Sequence, residues 1–182
     1  MRPSFILFAA IAVGAGLASP AWAGQPYGFG TPATPDKIAA WDIDVAPDGT
    51  GLPPGSGSVA DGAKIFASTC AVCHGAEGEG GAQDRLVGGQ GTLASAKPVR
   101  TVGSYWPYAT TLFDYIRRAM PLTAPQSLTA DQVYAVSAYI LYLNGIAPED
   151  TVLDAVTLRK VAMPNRDGFV DAGSKPDTNA KP

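Results

Sequence analysis

Cys70-Ala71-Val72-Cys73-His74 constrains this chain more than any other stretch. C-x-x-C-H is the spacing of a c-type haem attachment site. Two thiols so placed each add to a vinyl group of one porphyrin, and the adjacent imidazole then lies under the ring, within reach of the iron. Cys70 and Cys73 are the only cysteines and His74 the only histidine, so the motif predicts one covalent haem c per chain. Other uses of the same residues fit less well. A structural zinc site takes four ligands, and no second Cys/His pair completes the set. A thioredoxin-type C-x-x-C leaves His74 without a role and sits near a βαβ pattern, which is missing here. A disulfide across two intervening residues closes almost no loop entropy.

The N-terminus agrees with haem attachment outside the cytoplasm. Arg2 precedes an apolar run from Phe5 to Leu17, and Ala21-Trp22-Ala23 is an A-x-A cleavage signal. Residues 1–23 therefore read as a secretory signal peptide, with Gly24 as the first mature residue and a bacterial periplasm as the compartment. No later segment reaches about 18 consecutive apolar residues, so no membrane span is expected after cleavage. Without its signal the chain carries 12 Lys+Arg against 16 Asp+Glu, a net of −4. An acidic surface argues against nucleic acid and anionic lipid as partners.

Residues 24–57 read as a Gly/Pro-rich arm, and the run from Gly49 to Gly57 excludes regular structure. Ser58 reads as an N-cap with Asp61 in the first turn of a helix that carries Ala63, Phe66, Ala67 and Cys70 on one face into the haem motif. The span from Gly75 to Gly91 holds seven glycines, which exclude a long helix and let the chain lie close against a flat cofactor. A second helix is predicted from Tyr105 through Arg118, with Leu112, Ile116 and Ala119 buried; Met120-Pro121 ends it, because proline disfavours a helical residue before it. The last helix is the clearest. Thr129 and Gln132 form a capping box, Val133, Val136, Ile140 and Leu143 repeat at helical spacing, and Asn144-Gly145 stops it. No strand is predicted, and residues 146–182 read as an arm with a disordered tail from Lys175.

The iron needs a second axial ligand or an open position. With no other histidine, methionine is the next candidate. Met120 lies 46 residues beyond His74, between two helices, where it can reach the opposite face of the ring; Met163, in the C-terminal arm, reads as core filler. Metal ligands are therefore expected to be His74 and Met120. Arg100, Tyr105 and Trp106 are expected to border the cofactor, since a guanidinium, a phenol and an indole are donors for anionic propionates. No residue is assigned a catalytic role: an iron bound on both faces is left with outer-sphere electron transfer.

Helix, C-x-x-C-H, loop, Met-Pro and capped last helix together resemble the class I cytochromes c over residues 58–145. The resemblance implies an all-α class I cytochrome c fold, here with long irregular arms on both sides. Phe66 on the first helix and the Tyr139–Tyr142 region on the last resemble that fold's helix crossing. The stretches Trp41 to Val45, Gly51 to Val59, Thr101 to Leu112 and Ala119 to Thr129 resemble a narrower family, the cytochrome subunit of the Sox sulfane dehydrogenase, itself similar to the cytochrome subunits of sulfite dehydrogenases. That resemblance implies a molybdenum-cofactor dehydrogenase subunit as partner in periplasmic thiosulfate oxidation, with a further cytochrome c downstream. Longer members of that family carry a second haem domain; one C-x-x-C-H makes this a monohaem form. A free-standing periplasmic shuttle to an oxidase or reductase, and a haem enzyme or gas sensor with an open iron, are the competing functions. The apolar groups Ile38, Trp41, Ile43 and Val45 in one arm, and Val152, Leu153, Val156, Leu158 and Val161 in the other, are expected to dock a partner.

Overall fold

Local sequence accounts for most of the helices. The computed structural model describes residues 29–170; the expected signal peptide and the expected disordered tail from Lys175 lie outside the described residues. Residues before Pro35 belong to a separate unit, whose described part, 29–34, carries no helix or strand. From Pro35 onward the described elements are α1 (Pro35–Trp41), β1 (Ser56–Ser58), α2 (Val59–Ile65), a π turn (Phe66–Cys70), α3 (Ala71–His74), α4 (Ala109–Ala119), α5 (Ala130–Leu143), β2 (Val152–Asp154) and a 3₁₀ turn (Leu158–Lys160).

Ser58 caps α2 as its type and place predict: its hydroxyl accepts the Asp61 amide at 3.1 Å. The helix does not run on unbroken into the haem motif. A π turn widens it at Phe66–Cys70, so the expected single face is broken: Phe66 is buried and Ala67 is exposed. α5 has the expected capping box, with Gln132 amide to Thr129 hydroxyl at 3.3 Å and Thr129 amide to Gln132 Oε1 at 2.8 Å. It ends in a Schellman arrangement: Gly145 takes φ +66°, its amide reaches Tyr142 O at 2.8 Å, and the Ile146 amide reaches Leu141 O at 2.9 Å. α4 opens at Ala109, four residues later than predicted. Trp106 precedes a proline and is steered away from the helical region, and Tyr108 is extended at φ −138°, ψ 132°.

α2 crosses α5 at close range because Gly62 has no side chain: a Cβ there would collide with the Ala135 carbonyl. Phe66 and Tyr139 meet across the same crossing with ring centroids 5.3 Å apart. α4 also packs on α5, where the tilted rings of Phe113 and Tyr134 lie with centroids 4.4 Å apart. Together these helices bury Phe66, Phe113, Val133, Tyr134, Val136 and Leu141 almost completely.

The core does not stop at residues 58 and 145. Val45, Leu153, Leu158 and Met163 are all buried in the same cluster. Backbone polar groups of the N-terminal arm find partners on α4 and α5: the Val45 amide donates to Asp114 at 2.8 Å, Arg117 donates to Ile43 O at 3.0 Å, Thr110 to Pro47 O at 2.8 Å, and the Tyr134 hydroxyl to Pro53 O at 2.9 Å. The sequence predicted no strand, yet β1 and β2 pair antiparallel in the register Ser56↔Asp154, Gly57↔Leu153, Ser58↔Val152. This ribbon joins the two arms to each other over α5. The expectation that both arms are spare apolar surface for a partner therefore holds for only part of them: Ile38 and Trp41 on α1, and Val152 and Val156, remain exposed.

Candidate haem site

α3, the turn after α4, and the inner faces of α4 and α5 enclose a cleft. Cys70, Cys73 and His74 line it together with Met120, Pro121, Leu122 and Leu128. Leu86, Val102, Trp106, Leu112, Ile116, Val136 and Ile140 complete its apolar lining. No aspartate, glutamate, lysine or arginine lines this space, so it suits a large apolar ring.

The two sulfurs are free of each other, and burial, followed by the neighbouring Cys73, pushes the Cys70 thiol up to about 11. A dithiol redox centre needs the opposite, a thiol lowered into the thiolate range. Among the described residues no three His, Cys, Asp or Glu side chains gather as a metal cluster, so the zinc reading has no geometry behind it.

His74 is oriented from behind. Its Nδ1 lies 2.7 Å from the Asp84 carbonyl oxygen. A carbonyl only accepts, so Nδ1 carries the proton and Nε2 is left with its lone pair for a metal. The glycine-rich loop makes this possible by folding back under α3: the Gly80 amide bonds His74 O at 2.7 Å, and the Gln83 amide bonds Cys73 O at 2.9 Å. Asp84 was not legible as a site residue, because its contribution is a backbone carbonyl, which any residue type supplies.

Met120 closes α4. Its amide bonds Ile116 O at 3.0 Å and its backbone is extended at φ −121°, ψ 146°, the conformation that a following proline favours. It lines the same cleft as His74, whereas Met163 is 3% exposed inside the core. Of the three residues expected beside the cofactor, Trp106 lines the cleft, with its ring edge-on to Tyr115 at 5.7 Å. Arg100 and Tyr105 line an adjacent shallow depression with Asn165 and Phe169. There the Arg100 guanidinium sits 5.5 Å from the Tyr105 ring centroid, and Phe169 meets that ring edge-on at 5.1 Å.

An apolar cleft in a helical fold, lined by a C-x-x-C-H motif and a methionine, is the site of a c-type cytochrome, a module for moving single electrons. The chain belongs to the cytochrome c family: the family model for cytochrome c matches residues 59–144, the fold is class I, and the cofactor is a covalently attached haem c. The chain is similar to a chain in the crystal structure of the sulfane dehydrogenase SoxCD from Paracoccus pantotrophus, with 42% identity and a TM-score of 0.75 over 86% of this chain and 83% of that one. No curated protein matches it.

Proposed function

We propose that this chain is the monohaem electron-transfer subunit of a periplasmic sulfur-compound dehydrogenase. It takes electrons from a molybdenum-cofactor subunit and passes them to another cytochrome c. The observation that carries this reading is the 42% identity, across most of both chains, to a chain of a sulfane dehydrogenase. Among the described residues no helix is long and apolar enough to cross a membrane.

Cys70 and Cys73 would hold the porphyrin, His74 Nε2 would bind the iron, and Met120 would be its second protein ligand. Haem bound in this way supplies a one-electron couple, whose potential a methionine ligand raises. The chain's own part would be to supply both protein ligands and to keep the ring dry. Trp106, Leu112, Ile116 and Ile140 exclude water from its faces. Arg100 and Tyr105, which line a separate depression, are the donors this reading assigns to a propionate. Electrons cross where the rim is open, at Val72, Tyr115 and Leu122, all of which line the cleft and are exposed.

Co-purification from the native periplasm tests the proposal. Molybdenum in the complex, and haem reduction on adding sulfite or thiosulfate, are expected. A cytochrome that purifies alone and stays oxidised with both compounds would replace this reading with the free-standing shuttle. The shuttle has one observation in its favour: residues 43–57 and much of 151–163 pack on the chain's own core rather than waiting for a partner.

A further inference from the structure

Asn144 reads in the sequence as the stop of α5, and the backbone alone accounts for that stop through Gly145 and the Schellman bonds. Its side chain does something else. It is 8% exposed. Its Oδ1 accepts the Gly88 amide at 3.1 Å, while Nδ2 donates to Leu86 O at 3.2 Å and to Ile140 O at 2.9 Å. One N–H needs an acceptor and two carbonyls need a donor, so only one orientation of the amide satisfies the set. Gly103 presses against this side chain so closely that a Cβ there would collide with it. The end of a packed helix thus grips residues 86–88 of the glycine-rich loop.

Two residues upstream lies Asp84, whose carbonyl holds the His74 Nδ1 proton. Asp84 hangs between two fixed points. On one side the Gln83 amide is bonded to Cys73 O in α3. On the other, Leu86 is held through its carbonyl by Asn144 and through its amide by Gly78 O at 2.8 Å. Leu86 O also accepts the Val102 amide at 3.3 Å, so losing Asn144 loosens this second point without freeing it, and the Asp84 carbonyl gains play against the imidazole.

We propose that Asn144 is a positioning residue for the haem-binding imidazole: by fixing Leu86 and Gly88 it sets the Asp84 carbonyl that orients His74. This rests on the reading of His74 as the proximal ligand. A strong Nδ1–H bond makes the imidazole more basic and favours Fe(III). Asn144 therefore holds the potential lower than an unanchored loop would.

The test uses the haem-loaded protein with Asn144→Leu and Asn144→Asp. The aspartate keeps an acceptor for Gly88 but turns the donor into a second acceptor facing two carbonyls. Both variants are expected to exchange the His74 Nδ1 proton roughly tenfold faster by NMR, which corresponds to the loss of about one hydrogen bond's restraint. Their midpoint potentials are expected to move positive while the methionine–iron band stays in place. A fall in melting temperature with proton exchange and potential both at wild-type values would reduce Asn144 to a helix cap and overturn the proposal. If neither variant folds, native-state exchange of the unmodified protein decides. The Gly88 amide and the His74 Nδ1 proton should open with the same free energy across a denaturant series, and independent opening overturns the coupling. A wild-type spectrum without a ring-shifted His74 resonance would sink the ligand reading itself, a different failure from that of the clamp.

Discussion

Met120 and Met163 have the same side chain and opposite surroundings, and the surroundings set what each truncation costs. Met120 ends α4 at the cleft wall and is partly exposed, so Met120→Ala should abolish the near-infrared methionine–iron charge-transfer band and leave a folded protein. Met163 is enclosed by the core. Met163→Ala should keep the band and lose about 2–5 kcal/mol in denaturant unfolding, the transfer and cavity cost of a buried methionine. The opposite pattern would move the distal ligand to the C-terminal arm. Tyr134 gives a smaller number. Its hydroxyl bonds Pro53 O at 2.9 Å while its ring is wholly buried, so Tyr134→Phe keeps the packing and should cost about 1 kcal/mol. The candidate ligands could be named from sequence because their residue types are scarce: one histidine, two cysteines and one methionine between two helices leave few choices. The Asp84 carbonyl and the Asn144 clamp could not, because one is backbone and the other depends on contacts more than 50 residues away.

Among the elements, α5 was readable end to end because its cap, its period and its glycine stop are all local. β1 and β2 were not. Three residues give no period to detect, and their register is set by a partner almost 100 residues distant. The crossing of α2 and α5 turns on Gly62. Alanine there would gain about 1 kcal/mol of helix propensity. It would also drive a methyl into the Ala135 carbonyl, which α5 holds in its own hydrogen-bond ladder. Overpacking commonly costs about 1–3 kcal/mol, and a rigid backbone partner leaves little room to relax. Gly62→Ala should therefore be net destabilising in a thermal melt. A stabilised variant would mean that the two helices can slide apart. The N-terminal arm divides in the same physical terms. α1 buries no residue, whereas Val45 joins the core and β1 pairs with β2. Removing the chain through Trp41 should leave the melting temperature nearly unchanged. Removal through Gly57 should prevent stable folding, and a cooperative melt of that shorter form would show that the arm is dispensable after all.

At the scale of the molecule, the chain is acidic overall while no charged side chain lines its cleft. Thr69, Val72, Gln83, Tyr115, Pro121, Leu122 and Thr123 carry no charge at pH 7. Association through such a surface gains little from electrostatic steering. Electron transfer from the proposed dehydrogenase subunit should change only slightly as salt is raised, and Leu122→Asp should slow it with the midpoint potential intact; a steep fall with ionic strength would place the contact on a charged face instead. The ribbon of β1 and β2 has a consequence in time. Ser56 is made early and Asp154 late, so the contact that completes the core has to wait for almost the whole chain. Cys70 and Cys73 emerge some 80 residues before β2 does. For that interval they belong to an open polypeptide, accessible to whatever ligates the porphyrin, and the wall that later buries Cys70 has not yet formed. A chain ending at Asp150 should on this account still stain for covalent haem on a denaturing gel, yet be digested rapidly by protease under native conditions. If it fails to stain, closure of the fold comes before the thioether bonds; if it stains and resists protease, the ribbon is ornament rather than latch.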